Sequence, residues 1–393
     1  MAWRSGTIMD SRLEFVRLAD GGGSSMAALC RRFGISRQSG YLWLRRYRGA
    51  GIAGVQDRSS RPHHCPRQMP AAMEAPILQL RREHPWGGRK LARRLRDQGV
   101  ESVPAPSTVT AVLRRHGQLT PPPPRRPAAT SRFERETPNQ LWQMDFKGGF
   151  ALHQGRCHPL NVLDDHSRFL LCLGACANET GETVQAQLTA TFRRYGLPQG
   201  LLCDNGSPWG GSGAEGFTAL EVWLLRLGVG VHHGRIYHPQ TQGKVERLNR
   251  SLLVEALAGG RLADLAACQH RFDAFRRVYN QERPHEALGL DVPAQHYRAS
   301  PRAFPERLAE PVHQPGDRLR RVYHDGAVGF LGRRVKLSQA FAGYDVGFRA
   351  GGADGLWRVF FNGFAIAGVD LRGPEKAAMV RRVSDRLEMA LLD

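Results

Sequence analysis

Residues 121–124 are four consecutive prolines, followed by Arg125, Arg126 and Pro127, and they divide this chain of 393 residues. Proline has no amide hydrogen and a fixed φ. Four in a row cannot continue a helix and favour an extended polyproline II segment. The two sides of this linker differ in charge. Residues 1–135 hold 25 Lys/Arg against 9 Asp/Glu, a net +16. Residues 136–393 hold 31 against 27, a net +4, so most of the chain's +20 lies in its first third. A basic head on a nearly balanced body implies a polyanion-binding module joined to something else. The cations are mostly Arg, which suits bidentate contacts to phosphate and guanine. A genomic bias toward Arg codons would explain Arg over Lys but not the uneven placement.

The head reads as two helical units, at 1–62 and 63–120. In the first, Leu13, Val16 and Leu18 open an amphipathic stretch that Gly21, Gly22 and Gly23 end. Ser24 or Ser25 can cap the next helix, which carries Met26, Leu29, Cys30 and Phe33. Gly34 allows a turn, Ile35 plugs the core and Ser36 can cap a third helix. There Trp43, Leu44 and Tyr47 share one face, and Arg37, Gln38, Tyr41 and Arg45 share another. This is helix-turn-helix spacing, with polar residues at the start of a recognition helix. A bundle used only for dimerisation is the bland alternative. Gly40 breaks the pattern, since it sits on the inner face at a cost of roughly 1 kcal/mol relative to Ala. The second unit has Ile77, Leu78 and Leu80, a break at 84–88, and a very basic helix with Leu91 and Leu95 inward. Ser107 can cap a last helix holding Val109, Val112 and Leu113. Arg89, Lys90, Ser107 and Thr108 are its candidate DNA contacts, against the alternative of a solvated basic face.

After the linker (121–138) the pattern alternates strands and helices over 139–300. Strands are expected at 141–146, 160–164, 169–177, 201–203 and 229–232, and helices at 182–195, 217–227 and 242–257. This indicates an α/β fold with a mixed sheet. From 301 to 393 short Gly-punctuated strands suggest a small all-β barrel or sandwich. The chain therefore reads as multidomain: all-α helix-turn-helix units, an α/β core and a small all-β C-terminal barrel. The longest apolar runs, such as 169–177, are strand-sized, and no signal peptide is visible, so a cytoplasmic protein without membrane contact is expected. Seven Cys, none in a Cys-x-x-Cys pair, argue against a disulfide framework or zinc ribbon. His63, His64 and Cys65 lack a second pair and read as loop.

Three acids stand where a core element meets a loop. Asp145 lies within the apolar run 141–146, Asp204 follows Leu201, Leu202 and Cys203, and Glu246 opens a helix. A buried unpaired carboxylate is costly, so an acid in such a strand binds a cation or accepts hydrogen bonds. Converging carboxylates suit Mg²⁺ or Mn²⁺. Two such ions, about 3.5–4 Å apart, can clamp an in-line phosphoryl displacement. Taken singly, each acid is as consistent with a helix cap or a turn.

Together the motifs carry more. Leu-Trp-Gln-Met-Asp-Phe-Lys at 141–147, Leu-Asp-Asp-His-Ser-Arg at 163–168 and Cys-Asp-Asn-Gly-Ser-Pro at 203–208 occur in order. They precede His-Pro-Gln-Thr-Gln-Gly-Lys-Val-Glu-Arg at 238–247 and Tyr-Asn-Gln-Glu-Arg-Pro-His-Glu-Ala-Leu-Gly at 279–289. In this order the chain resembles the DDE insertion-sequence transposases of bacteria, within the retroviral integrase superfamily. The resemblance implies a ribonuclease H-like core over 139–300. It implies Asp145, Asp204 and Glu246 as metal-binding catalytic triad, with two Mg²⁺ or Mn²⁺ ions. It also implies double-stranded DNA as partner, both element ends and target, and at least a dimer at the nucleoid. Asp204 and Glu246 are separated by 41 residues (246 − 204 − 1), more than in many relatives, and the Gly-rich stretch at 210–213 is expected to absorb the surplus. Lys244 and Arg250 are weaker candidates for holding the DNA backbone, and for Arg250 a charge pair with Glu246 is the equal alternative. Asp165 and His166 read as a pinned turn, with a catalytic effect as the lesser alternative, and Trp209 as a core or loop anchor rather than a base-stacking group. His238 and Gln240 are candidates for a loop over the site. The rival functions are a non-catalytic DNA-binding regulator and a nuclease on the same fold.

Overall fold

The computed structural model describes residues 8–57, 69–119, 134–204, 206, 208–209, 216–233, 243–373 and 379–382. The proline linker, the His63–Cys65 triplet, the Gly-rich stretch at 210–213, His238 and Gln240 lie outside the described residues. The chain forms two compact units, residues 1–70 and 71–393.

The first unit is three helices, α1 (Ile8–Asp20), α2 (Met26–Phe33) and α3 (Arg37–Ala50). Ser25 and Ser36 cap α2 and α3, their side chains accepting from the amides of Ala28 and Ser39. Gly34 adopts φ 68°, the left-handed conformation that ends α2. Phe15, Val16, Leu29, Cys30 and Val55 form the core, and Leu18 points outward. Gly40 has a physical reason. A Cβ there would lie 2.6 Å from Cys30 Sγ and 2.9 Å from Phe15 Cζ, so α3 can cross α1 and α2 this closely only with glycine.

The second unit begins with α4 (Ala71–Glu83), α5 (Gly88–Asp97) and α6 (Pro106–Arg115), which bury Ile77, Leu91, Leu95, Val109 and Leu113. Ser107 is not the cap of α6. Pro106 occupies the first turn and Ala105 the cap position, because a fixed φ favours proline at a helix start.

The six-stranded sheet that follows is built from β1 (Leu141–Phe146), β2 (Phe150–Ala151), β3 (Arg156–Asp164), β4 (Leu170–Cys176), β5 (Gly200–Cys203) and β6 (Gly230–His233). Its order is β2-β3-β1-β5-β6, with β4 also on β3. β1 is antiparallel to β3 and parallel to β5, and β5 is parallel to β6, so the sheet is mixed as expected. Helices α7 (Gly181–Tyr195) and α8 (Ala219–Arg226) cover one face, over Trp142, Met144, Leu160 and Val162. Helices α9 (Gly243–Glu255) and α10 (Leu265–Gln281) cover the other, over Cys157, Leu163 and Leu173. Alternation along β1 therefore turns Gln143 and Asp145 toward α9. Edge strand β4 is closed by side chains of α10. Asn280 bonds both main-chain groups of Leu170, and Gln269 accepts from the Ala175 amide and donates to Leu173 O. The short α11 (Pro293–His296) leads to Tyr297, Phe304 and Leu308, which still pack on the α7/α8 side of the core.

The tail holds β7 (Arg318–Arg321), β8 (Ala327–Phe330), β9 (Arg333–Lys336), β10 (Asp345–Ala350), β11 (Leu356–Phe361), β12 (Phe364–Asp370) and β13 (Met379–Arg382). It is all-β and antiparallel, but no closed barrel forms among the described residues. Strands β13-β12-β11-β10-β7 make one open sheet, and β8 and β9 pair only with each other. The hairpin instead packs face to face on the sheet, with Phe330 stacked on Phe348 at 3.9 Å between ring centroids. The sheet also rests on the core: Val222 and Leu225 of α8 lie in its apolar cluster. Asn362, in the tight β11–β12 turn, donates to Leu225 O and Arg226 O at the end of α8.

Candidate active site

Two parallel neighbours carry two of the acids. In the β1–β5 register Gln143 lies opposite Leu202, and two residues further along both strands come Asp145 and Asp204. Parallel strands lie about 4.8 Å apart, so both acids emerge at the same end of the sheet. Glu246 stands in the first turn of α9, the helix that crosses this face.

Asp145 is half-buried and its carboxyl is pushed up to about 6. Burial is the main cause, with Asp204, Glu179 and Glu246 adding like-charge repulsion, and a hydrogen bond from Asn249 opposing them. Asn249 Nδ2 donates to Asp145 Oδ2 at 3.0 Å, and Asn161 Nδ2 donates to Asn249 Oδ1 at 2.9 Å. Asn161 is the register partner of Asp145 on β3. One relay thus joins the sheet, the β1 acid and the helix that bears Glu246. Among the described residues no Lys or Arg bonds to Asp145, Asp204 or Glu246.

Asp204 is exposed, and its Oδ1 accepts from the Gly206 amide at 3.0 Å. Its main-chain oxygen accepts from His233 Nδ1 at 2.8 Å, while His233 Nε2 faces Glu221 Oε1 at 2.8 Å. Glu221 is buried and completes the capping box of α8 with Thr218. The end of β5 is thereby tied to β6 and to α8.

A further carboxylate lies behind these acids. Asp165 is fully buried at the β3–β4 corner. It accepts from Gln143 Nε2 at 2.7 Å, from the Arg135 amide at 2.8 Å and from Lys244 Nζ at 2.5 Å. Gln143 precedes Asp145 by two residues and Lys244 precedes Glu246 by two, so one buried acid anchors both elements. Lys244 is thus engaged inside the protein rather than presented as a free surface cation. The rest of the 163–168 motif builds the same corner. Asp164 accepts from Ser167 Oγ at 2.6 Å and from the Asn139 amide, and Arg168, at φ 61°, bonds the carbonyls of Asp165 and His166. His166 Nδ1 contacts Arg135 O.

Three carboxylates at one sheet end, one of them penalised for its charge and bonded only to a neutral amide, fit a hard divalent cation. Among the described residues, however, no three His, Cys, Asp or Glu side chains lie close enough together to hold a metal ion. Asp204 is turned onto its own loop, so the acids share a sheet end without converging to ligand distance. Arg250 is exposed and makes no ion pair with Glu246. Trp209 is buried in the core, stacked on Phe146 at 5.4 Å. Arg37, Gln38, Tyr41 and Arg45 lie exposed along one face of α3, and Arg89, Ser107 and Thr108 are exposed on α5 and α6. Asn249, Asn161, His233 and Glu221 were not singled out from sequence. Asn249 carried a signal, three residues after Glu246 on the same helix face; His233 carried none.

Family models match along the chain. An integrase core domain matches residues 135–239 and a second integrase core model matches 227–293. A helix-turn-helix domain matches 11–63, a homeodomain-like domain 39–113, and an IS481 family transposase C-terminal domain 317–376. An insertion element IS407 protein of 31.7 kDa from Burkholderia multivorans is 26% identical over 160 residues, covering 40% of this chain and 55% of that protein. The chain thus spans little more than half of that relative. An insertion element IS476 protein of 39.2 kDa from Xanthomonas euvesicatoria is 26% identical over 290 residues, covering 70% of this chain and 78% of that one. A chain of the simian T-cell lymphotropic virus intasome aligns at 16% identity and TM-score 0.38, over 78% of this chain and 96% of that one. The matched segments run in order through helix-turn-helix heads, an integrase core and a transposase C-terminal domain, and in this arrangement the chain is similar to insertion-sequence transposases of the integrase superfamily.

Proposed function

We propose that this chain is a transposase that binds the terminal inverted repeats of its element and catalyses metal-dependent DNA cleavage and strand transfer at Asp145, Asp204 and Glu246. The observation that carries the reading is Asp145. It has a carboxylate whose charge is destabilised by burial and by three other acids, Asp204, Glu179 and Glu246, and among the described residues no Lys or Arg bonds to it. The three carboxylates would hold two Mg²⁺ or Mn²⁺ ions, which when bound supply charge stabilisation for in-line displacement at phosphorus. The Asn161–Asn249 relay keeps Asp145 and α9 in fixed relation. His233 holds the strand end from which Asp204 emerges. Arg37, Gln38, Tyr41 and Arg45 would read base edges in the major groove, and Arg89, Ser107, Thr108 and Arg250 would meet phosphates. Two element ends call for at least a dimer on DNA.

The test is a strand-transfer assay with Mg²⁺ and a labelled duplex carrying the flanking repeat. Joined products from the wild type and none from Glu246→Gln are expected. Specific binding without product from either protein would favour a non-catalytic regulator. Cleavage of RNA–DNA hybrid in preference to the repeat duplex would favour a nuclease. Arg37→Ala and Gln38→Ala should weaken specific end binding without altering metal binding, and unchanged gel-shift affinity would refute that assignment.

A further inference from the structure

Helix α5 meets the core along a polar seam. Trp86 Nε1 donates to Glu255 Oε2 at 3.0 Å, Arg94 pairs with Glu282 at 2.5 Å and Arg93 with Asp291 at 3.0 Å. Arg283 donates to Glu255 at 2.9 Å and to Ser251 Oγ at 3.0 Å. On α9, Arg247, Ser251 and Glu255 recur every four residues and so share this face. On the other side Lys90 and Arg94 of α5 have the same spacing, and Trp86 lies just before that helix.

The seam's cations divide into two kinds. Arg93, Arg94 and Arg283 each have a carboxylate, as does Lys244 at the start of α9. Lys90 and Arg247 have none: among the described residues neither side chain makes a hydrogen bond or ion pair. Lys90 is nevertheless half-buried, and Arg283 and Arg247 lie within electrostatic reach of it, opposed by Glu255 and the exposed Glu286. Glu255 is already shared by Arg283 and Trp86. The buried His285 beside them is neutral, its pKa pulled down to about 2 by burial and by Arg283, Lys90, Arg168 and Arg247. Burial and these neighbours leave the Lys90 ammonium at about 8. A cation held half-buried without a bonded carboxylate, with two arginines as well as two glutamates around it, can take an external anion.

We infer that Lys90 and Arg247 form a clamp for one phosphodiester of the DNA strand. It would join the second helical unit to α9, one residue beyond Glu246. This rests on the transposase reading and deepens it. Lys90 then acts as a backbone ligand at the core, not as a base-reading residue of an isolated helix-turn-helix.

The experiment measures the affinity of the full chain for a labelled element-end duplex across salt concentrations, without Mg²⁺. Lys90→Gln and Arg247→Gln should each reduce the magnitude of the log–log salt slope by about 0.9, the value for one phosphate contact. The double variant should lose no more slope than either single one, because the phosphate is shared. Arg82→Gln, an exposed cation outside the seam, is the control and should keep the wild-type affinity on a per-site basis. In the absence of DNA, Lys90→Gln should melt no lower than the wild type, since it removes a charge that burial penalises; a lower melting temperature matched by Glu286→Gln would mean that Glu286 is the partner and would overturn the clamp. Unchanged slopes in both single variants, with the duplex still bound, would overturn the clamp and leave the transposase reading intact. A wild type that ignores the element end but binds another nucleic acid with the same Lys90-dependent slope would reject the substrate and keep the clamp.

Discussion

Asp145 and Asp165 are two carboxylates of the same core, both at the ends of strands, and they are treated in opposite ways. Asp165 is fully buried yet receives a lysine, a side-chain amide and a main-chain amide. Asp145 is less buried yet receives one neutral amide and faces other acids. Burial alone does not separate a structural acid from a functional one. Compensation separates these two: among the described residues Asp165 has a cation and Asp145 has none, and it is Asp145 that the proposed function assigns to a metal ion.

The largest effect is expected at the compensated acid. Lys244→Met leaves Asp165 buried without its cation and should destabilise the protein by about 3–5 kcal/mol. Chemical denaturation of the full chain checks this, and a loss under about 1 kcal/mol would mean the pair is not structural. The opposite sign is expected at Asp145. Asp145→Asn can still accept from Asn249 and removes an unfavourable charge, so it should stabilise the metal-free protein by about 1–3 kcal/mol at pH 7 while abolishing strand transfer. A destabilised variant would place Asp145 with Asp165. The pH dependence follows from the same shift. Because the folded pKa is raised from 3.8 to about 6, the folded state binds more protons than the unfolded state between those values. This contribution therefore penalises folding fully above about pH 6 and vanishes below pH 4. The stability difference between wild type and Asp145→Asn should shrink as pH falls through that window, and a constant difference would contradict it. The smallest effect is expected at Asn161. Asn161→Ala removes one end of the relay and should cost about 1 kcal/mol of stability, with a larger loss in strand transfer than in duplex binding.

Much of this arrangement was legible in the residues. An acid inside the apolar run of β1, another closing β5 and a third opening α9 are the proposed site, and the fold brings their elements to one end of the sheet; Ser25 and Ser36 cap the helices they precede. Period-two alternation in β1 even set the face on which Asp145 lies. What was not legible depended on partners distant in sequence. α10 was not expected, although Cys268, Phe272, Phe275 and Tyr279 recur at helical spacing, because polar residues fill the other positions. β7 is four exposed residues, Arg318–Arg321, whose strand state comes only from pairing with β10. Whether the tail closes as a barrel depends on which strands pair, and local patterning does not encode that. Lys244 reads from sequence as a candidate for holding the DNA backbone, and its bond to Asp165, 79 residues earlier, is encoded in neither neighbourhood.

The central claim is that the fold leaves Asp145 for a divalent cation. It is tested most directly by titrating the full chain with Mn²⁺ and following the loss of the free-ion signal by electron paramagnetic resonance, for wild type and Asp145→Asn side by side. The account predicts saturable binding by the wild type that Asp145→Asn weakens at least tenfold, about 1.4 kcal/mol. Equal binding by the two proteins, or none by the wild type even with element-end DNA present, would contradict it.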